Sequence, residues 1–133
     1  MERAIWIYTA LNLTVIGISH ITAPKAWARY FVWLHGHGKA GVLIIAAMSL
    51  GFGTPIVAFH EIWSGWPLAV TLIGWAQVLK GTIYFIFPGF GLRKAKIVSE
   101  ERSWIFIPAG VMLLVLSLPA WYLLIRSGWP TAP

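Results

Sequence analysis

Four long apolar runs, separated by shorter segments that carry most of the charges, dominate this chain of 133 residues. The runs extend over about 5–21, 40–63, 67–87 and 104–125. A helix needs roughly 20 mostly apolar residues to cross a bilayer, so each run is long enough for one crossing. The pattern predicts an all-α integral membrane protein, a four-transmembrane-helix bundle that forms a single membrane domain over 1–133.

The segment 24–34, which follows the first run, mixes charged and apolar residues at helical spacing. Pro24 suits the first turn of a helix, and Lys25 and Arg29 are one turn apart. The apolar side chains fall on another face of this helix: Trp27, Phe31 and Leu34. The spacing predicts a short amphipathic helix lying on the membrane interface after the first span.

Composition agrees with a membrane protein and excludes several other classes. The chain is 59% hydrophobic and only 11% charged, whereas an ordinary soluble domain carries about 25% charged residues. It contains no cysteine, so disulfides, thiolate catalysis and cysteine metal sites are excluded for these residues.

Tryptophans test the layout, because indole rings favour the boundary between membrane and water. One predicted boundary has five: Trp6, Trp63, Trp66, Trp121 and Trp129. The other has three: Trp27, Trp33 and Trp104. Only Trp75 falls deep within a span, so eight of the nine tryptophans agree with four crossings.

The net charge of +6 predicts an orientation. Seven of the ten basic residues lie in the first and third connections: Lys25, Arg29, Lys39, Arg93, Lys94, Lys96 and Arg102. Basic loops stay in the cytoplasm, so we expect both basic connections in the cytoplasm and both termini outside. The charge indicates attraction to anionic lipid rather than to nucleic acid.

Lys80 is the ionisable residue inside a span, and such residues usually face the bundle interior or a wet cavity. It is close in sequence to small and polar residues at helical spacing: Gly74, Gln77, Gly81 and Tyr84. We expect this stripe to face the other helices. The alternative is that Lys80 extends towards the membrane interface and has no role beyond packing.

The sequence Gly51–Pro55 in the second run predicts a break in that helix. Proline removes one helical hydrogen bond and frees the carbonyl four residues earlier, at Gly51. By helical rise, Gly51 and Lys80 lie about 18 and 20 Å from the outer boundary. With Gln77 and the buried polar Asn12, the break at Gly51–Pro55 and Lys80 form a candidate site at the membrane midplane, as in many transporters.

His60 and Glu61 end the second run near the outer boundary, where Arg126 is also expected. An ion pair of Glu61 with Arg126 is one interpretation, and such surface pairs contribute about 0–1 kcal/mol. The other is an ion or proton site at the outer mouth of a pathway, since histidine titrates near neutrality.

No metal site or cofactor is predicted. His20 and His60 are expected at opposite membrane boundaries, so they cannot hold one haem between them within a monomer. His35 and His37 alternate with glycines in a loop, without the oriented support that a metal ligand needs.

The residues Ile16 to His20, followed by Pro24, Trp27, Tyr30 and Phe31, resemble the opening of DoxX-like proteins, over about residues 13–60. The resemblance implies a small four-helix bundle in the bacterial inner membrane, as a subunit or accessory of a redox or transport system. The glutamate typical of that family's second span has no counterpart here unless Glu61 takes its place.

Three hypotheses follow. The first is an accessory or structural subunit that works through partner proteins, because no catalytic constellation is present. The second is a small oligomeric transporter or channel with the midplane site around Lys80. The third is a membrane-embedded enzyme acting on lipid or quinone, whose chemistry would have to come from scattered residues: His20, His60, Glu61 and Lys80.

Overall fold

The computed structural model describes residues 2–128 and is helical over most of that range. The elements are α1 (Glu2–Thr22), α2 (Pro24–Gly36), α3 (Lys39–Phe59), α4 (Pro67–Ile86), α5 (Pro88–Ala95), a 3₁₀ helix (Glu100–Ile105) and α6 (Phe106–Arg126). Four helices, α1, α3, α4 and α6 with its preceding 3₁₀ turn, are long and apolar enough to cross a membrane. The predicted all-α bundle of four transmembrane helices is confirmed.

The predicted span boundaries lie within three residues of the helix ends except at the end of the second run. Helix α3 ends at Phe59, four residues before the predicted end, because His60 leaves the helix with an extended backbone (φ −140°, ψ 101°). Helix α4 begins at Pro67, as predicted, since proline suits the first helical turn. Trp129, which was assigned to the outer boundary, lies outside the described residues.

Helix α2 is the predicted amphipathic helix. Lys25 and Arg29 are exposed, whereas Ala28 and Leu34 are completely buried against the rest of the protein. The helix stops before Gly38, whose positive φ of 62° favours glycine and turns the chain into α3.

The transmembrane helices pack as two pairs, α1 with α6 and α3 with α4. In the first pair, a Cβ added to Gly110 would lie only 2.5 Å from the carbonyl oxygen of Gly17. In the second, a Cβ added to Gly53 would lie 2.7 Å from the carbonyl oxygen of Gly74. Small residues let membrane helices approach this closely, and the gain is van der Waals packing.

Both basic connections meet at one end of the bundle. His35 of α2 lies 3.0 Å from the carbonyl oxygen of Val98, and Arg29 lies 3.8 Å from the carboxylate of Glu100. We call this the basic end, and we call the end with the 60–66 connection the opposite end. Much of the outer surface of the four long helices is apolar and exposed, as contact with lipid or other proteins requires.

Candidate functional site

Lys80 does not face the interior of the bundle, so this expectation was wrong. The side chain is exposed, whereas Gly74 and Gly81 are buried against α3. At 3.6 residues per turn, Lys80 points about 110° away from the line through these two glycines. Gln77 is partly buried, and its Cβ would lie 2.9 Å from a Cβ added to Gly53. Gly74, Gln77 and Gly81 therefore share a face of α4 that packs against α3, but Lys80 is not on that face.

The Lys80 side chain runs along the outside of α4. Its ammonium lies 5.8 Å from the centre of the Tyr84 ring, one turn closer to the basic end. The described residues place no carboxylate within ion-pair distance of it. Cation–π contact with this partly buried ring contributes about 0.5–2 kcal/mol, so within residues 2–128 the charge has no partner as strong as a carboxylate.

The expected helix break at Gly51–Pro55 is also absent, since α3 continues through Pro55 to Phe59. The Gly51 carbonyl does accept a side-chain hydrogen bond, but the donor is not Lys80. The hydroxyl of Tyr8 in α1 donates a hydrogen bond to the carbonyl oxygen of Gly51 at 3.2 Å. A carbonyl released by proline is thus satisfied by a neighbouring helix, a common arrangement in membranes.

Asn12 is not free to join a midplane site either. Its amide donates to the carbonyl oxygen of Tyr8 at 2.8 Å, one turn back on its own helix. Of the five residues of the candidate midplane site, Gln77 lies in the α3–α4 contact and Lys80 lies outside it. The structure does not bring the five together.

The residues of the candidate outer-mouth site are not brought together either. Glu61 is exposed, and Arg126 donates to the hydroxyl of Tyr122 at 2.8 Å instead of pairing with Glu61. His60 is completely buried, and its Nε2 lies 3.0 Å from the carbonyl oxygen of Pro67. His60 therefore joins the end of α3 to the start of α4.

A set of buried polar groups at the opposite end, which the sequence did not predict, includes His60. His60 Nδ1, Trp6 Nε1, Thr9 Oγ1 and Arg3 Nη2 are buried without a hydrogen-bond partner in residues 2–128. The rings of Trp6 and His60 meet edge to face, with centroids 6.4 Å apart. The signal in the sequence is the helical spacing of residues 3, 6 and 9, but only the fold places α1 beside His60.

An aromatic junction joins α1, α2 and α6 near the basic end. The ring of His20 is 4.3 Å from that of Trp27 and 5.2 Å from that of Phe106. Trp27 also donates from its indole nitrogen to the hydroxyl of Ser19 at 2.8 Å. The residues of the DoxX resemblance thus form a contact that holds the amphipathic helix against the bundle.

The remaining histidines are engaged with the backbone. His35 bonds to Val98, as above, and His37 Nδ1 lies 2.7 Å from the carbonyl oxygen of Trp33. Over residues 2–128, no three His, Cys, Asp or Glu side chains gather as metal ligands would.

Comparison with known proteins gives one informative similarity. The chain is 31% identical over 101 residues, 76% of its length, to the thiol:disulfide interchange protein DsbD of Pseudomonas sp. (strain JR1 / K1). The matched part is 17% of that relative, so the chain spans about one-sixth of its length. No family model matches the chain, and no solved structure does either. The fold defines a small multi-pass membrane protein.

Proposed function

We propose that this chain is an accessory subunit of a bacterial inner-membrane redox system and that it acts through a partner protein. The similarity to a thiol:disulfide interchange protein supports the redox context. Thiol–disulfide exchange proceeds by attack of a thiolate on a disulfide, and the chain has no cysteine. An accessory role accounts for both facts. The resemblance to DoxX-like proteins, which stays a prediction, is compatible with this role.

The observation that carries the proposal is the position of Lys80 on the outside of α4. The residue lies about 9 Å from the end of the helix by helical rise, and a charge at such depth is costly unless it is paired. The surface next to it is apolar and exposed at Trp75, Leu79 and Ile83. A partner helix that supplies a carboxylate to Lys80 would cover this surface.

The partner is a different protein rather than a second copy of this chain. All four carboxylates of the sequence lie outside the spans or at their ends: Glu2, Glu61, Glu100 and Glu101. A second copy with the same orientation in the membrane therefore has no carboxylate at the depth of Lys80. The basic end is placed in the cytoplasm in this proposal, with both termini outside, because basic loops are retained there.

Site-specific photo-crosslinking in the native membrane tests the proposal. A photoreactive amino acid at Leu79 of α4, 58% exposed, is compared with one at Val115 of α6, 57% exposed. We expect a crosslinked protein at position 79 and none at position 115. Lys80→Met should reduce the yield at position 79 about tenfold, since a lost buried charge pair weakens binding strongly.

Three results would contradict the proposal. Lipid adducts alone at position 79 would show that α4 faces the bilayer. Equal protein yields at positions 79 and 115 would show non-specific contact. A crosslink to a second copy of this chain would replace the different subunit with a homo-oligomer.

A further inference from the structure

An apolar groove with cations at its rim lies at the basic end, between α3, α4 and α5. Its volume is about 770 Å³, and its walls include Ile83, Ile86, Phe87 and Phe90, with Lys39 and Arg93 at the edge. No carboxylate lines it. The groove shares Ile83 with the outer surface around Leu79, on which the proposed function rests, but it extends from there towards the basic end and does not include Leu79.

Helix α5 is held firmly as one wall of this groove. Gly91 is buried, and a Cβ added there would lie 2.6 Å from the side chain of Val42 and 2.9 Å from the ring of Tyr84. This close fit leaves the opposite face of α5 exposed. Arg93 lies on that face and Lys94 is exposed at its side, and their charged groups are 5.9 and 5.5 Å from the centre of the Phe90 ring.

We propose that this groove binds one anionic phospholipid, with an acyl chain along α4 and α5 and the phosphate between Lys39 and Arg93. Two cations without a neighbouring carboxylate favour an anion, and the apolar wall favours a hydrocarbon chain. Basic pockets between transmembrane helices on the cytoplasmic side are known to hold anionic headgroups. A soluble phosphate compound would leave the apolar wall unused.

A second basic depression at the same end provides the contrast. It is lined by Lys25, Arg29 and Glu100, and its volume is about 160 Å³. Arg29 is 3.8 Å from Glu100, which partly neutralises its charge. The depression also has two cations, but Glu100 offsets part of their charge and the apolar wall is missing, so it lacks both features that an anionic lipid would require.

The test measures lipid binding to the whole chain in mild detergent after removal of native lipid. Dioleoyl phosphatidylglycerol or the matching phosphatidylcholine is titrated in, and bound lipid is counted by native mass spectrometry. We expect preference for phosphatidylglycerol. The double variant Lys39→Gln, Arg93→Gln should weaken its binding at least about tenfold, whereas Lys25→Gln, Arg29→Gln should change it less than about twofold.

A second pair of variants tests the groove without changing charge, one that blocks it and one that does not. Gly89 lines the groove, and a Cβ added there has only the Lys39 side chain nearby, at 3.9 Å. Gly89→Leu should therefore displace the acyl chain and reduce phosphatidylglycerol binding. Gly36→Leu is the control, because a Cβ at Gly36 meets nothing within 4 Å.

The lipid proposal would be overturned by equal losses in both charge variants, which would indicate general surface attraction. It would also be overturned if Gly89→Leu binds normally, or if glycerol phosphate competes as well as the whole lipid. The crosslinking result at Leu79 is independent of these outcomes.

Discussion

The two helix pairs use glycine differently. Gly17 of α1 and Gly110 of α6 face each other at one level, where backbone meets backbone between the first and last helices of the chain. The α3–α4 contact is distributed along the helices, with Gly53 and Gly74 at one level and Gly81 two turns further towards the basic end. The short 60–66 connection, fastened by His60 and Thr71, also keeps α3 and α4 together.

This difference indicates where the bundle is vulnerable. The α1–α6 pair also meets away from its glycines, for example where Trp121 donates to the hydroxyl of Thr14 at 2.9 Å, but it joins helices far apart in sequence, so no short loop holds its ends together. A contact shared among several levels of a hairpin tolerates a local disturbance, since closing a short loop costs little entropy. We therefore expect the α1–α6 pair to be the more sensitive to a single added methyl group.

The largest effect is expected from Gly110→Ala. The new Cβ would lie 2.5 Å from the carbonyl oxygen of Gly17 and 2.9 Å from Cβ of His20, so the helices must separate. We expect the free energy of unfolding in detergent to fall by about 3 kcal/mol, the upper part of the range for overpacking. Gly51→Ala is the control, because a Cβ at Gly51 meets nothing within 4 Å. Equal stability of the two variants would contradict the close approach of α1 and α6.

Gly81→Ala should have a smaller effect. The new Cβ would lie 2.6 Å from Cγ of Leu50, a side chain that can shift, and 3.0 Å from the carbonyl oxygen of Ala46. We expect a loss of about 1.5 kcal/mol in the same measurement. A loss larger than that of Gly110→Ala would reverse the comparison between the pairs.

The smallest effect is expected where the pairs are linked to each other, at Tyr8 and Gly51. Tyr8→Phe removes the hydroxyl that donates to the carbonyl of Gly51 and keeps the ring stacked on Phe52, 5.5 Å away. Hydrogen bonds between membrane helices contribute about 0.6 kcal/mol on average, and we expect a loss of that size. A loss above that of Gly81→Ala would mean that this link, rather than the glycine contacts, organises the bundle.

The predicted site residues show why side-chain direction is harder to predict than helix position. The sequence placed Lys80, Gln77 and the two glycines on one stripe, and the glycines and Gln77 do contact α3. Lys80 lies about 110° from that line. Whether the buried face of α4 is wide enough to include it depends on which helices pack on which side of α4.

The Gly51 carbonyl is a second example. Proline chemistry predicts that this group needs a donor, but the choice between Lys80 and Tyr8 depends on which helices are neighbours. The contact of Trp6 with His60 was not predicted for the same reason, because α1 meets the end of α3 only through long-range packing.

Four membrane-spanning helices, an amphipathic helix after the first and a concentration of positive charge in two connections can all be predicted from the sequence. These are local properties, set by apolar run length, helical spacing and loop composition. The pairing of α1 with α6 and of α3 with α4, the hydrogen bond from Tyr8 to Gly51 and the outward direction of Lys80 depend instead on how the helices pack. The reason is physical: hydrophobicity drives each helix into the membrane, but lipid is as apolar as the side chains, so close packing and hydrogen bonds choose the neighbours.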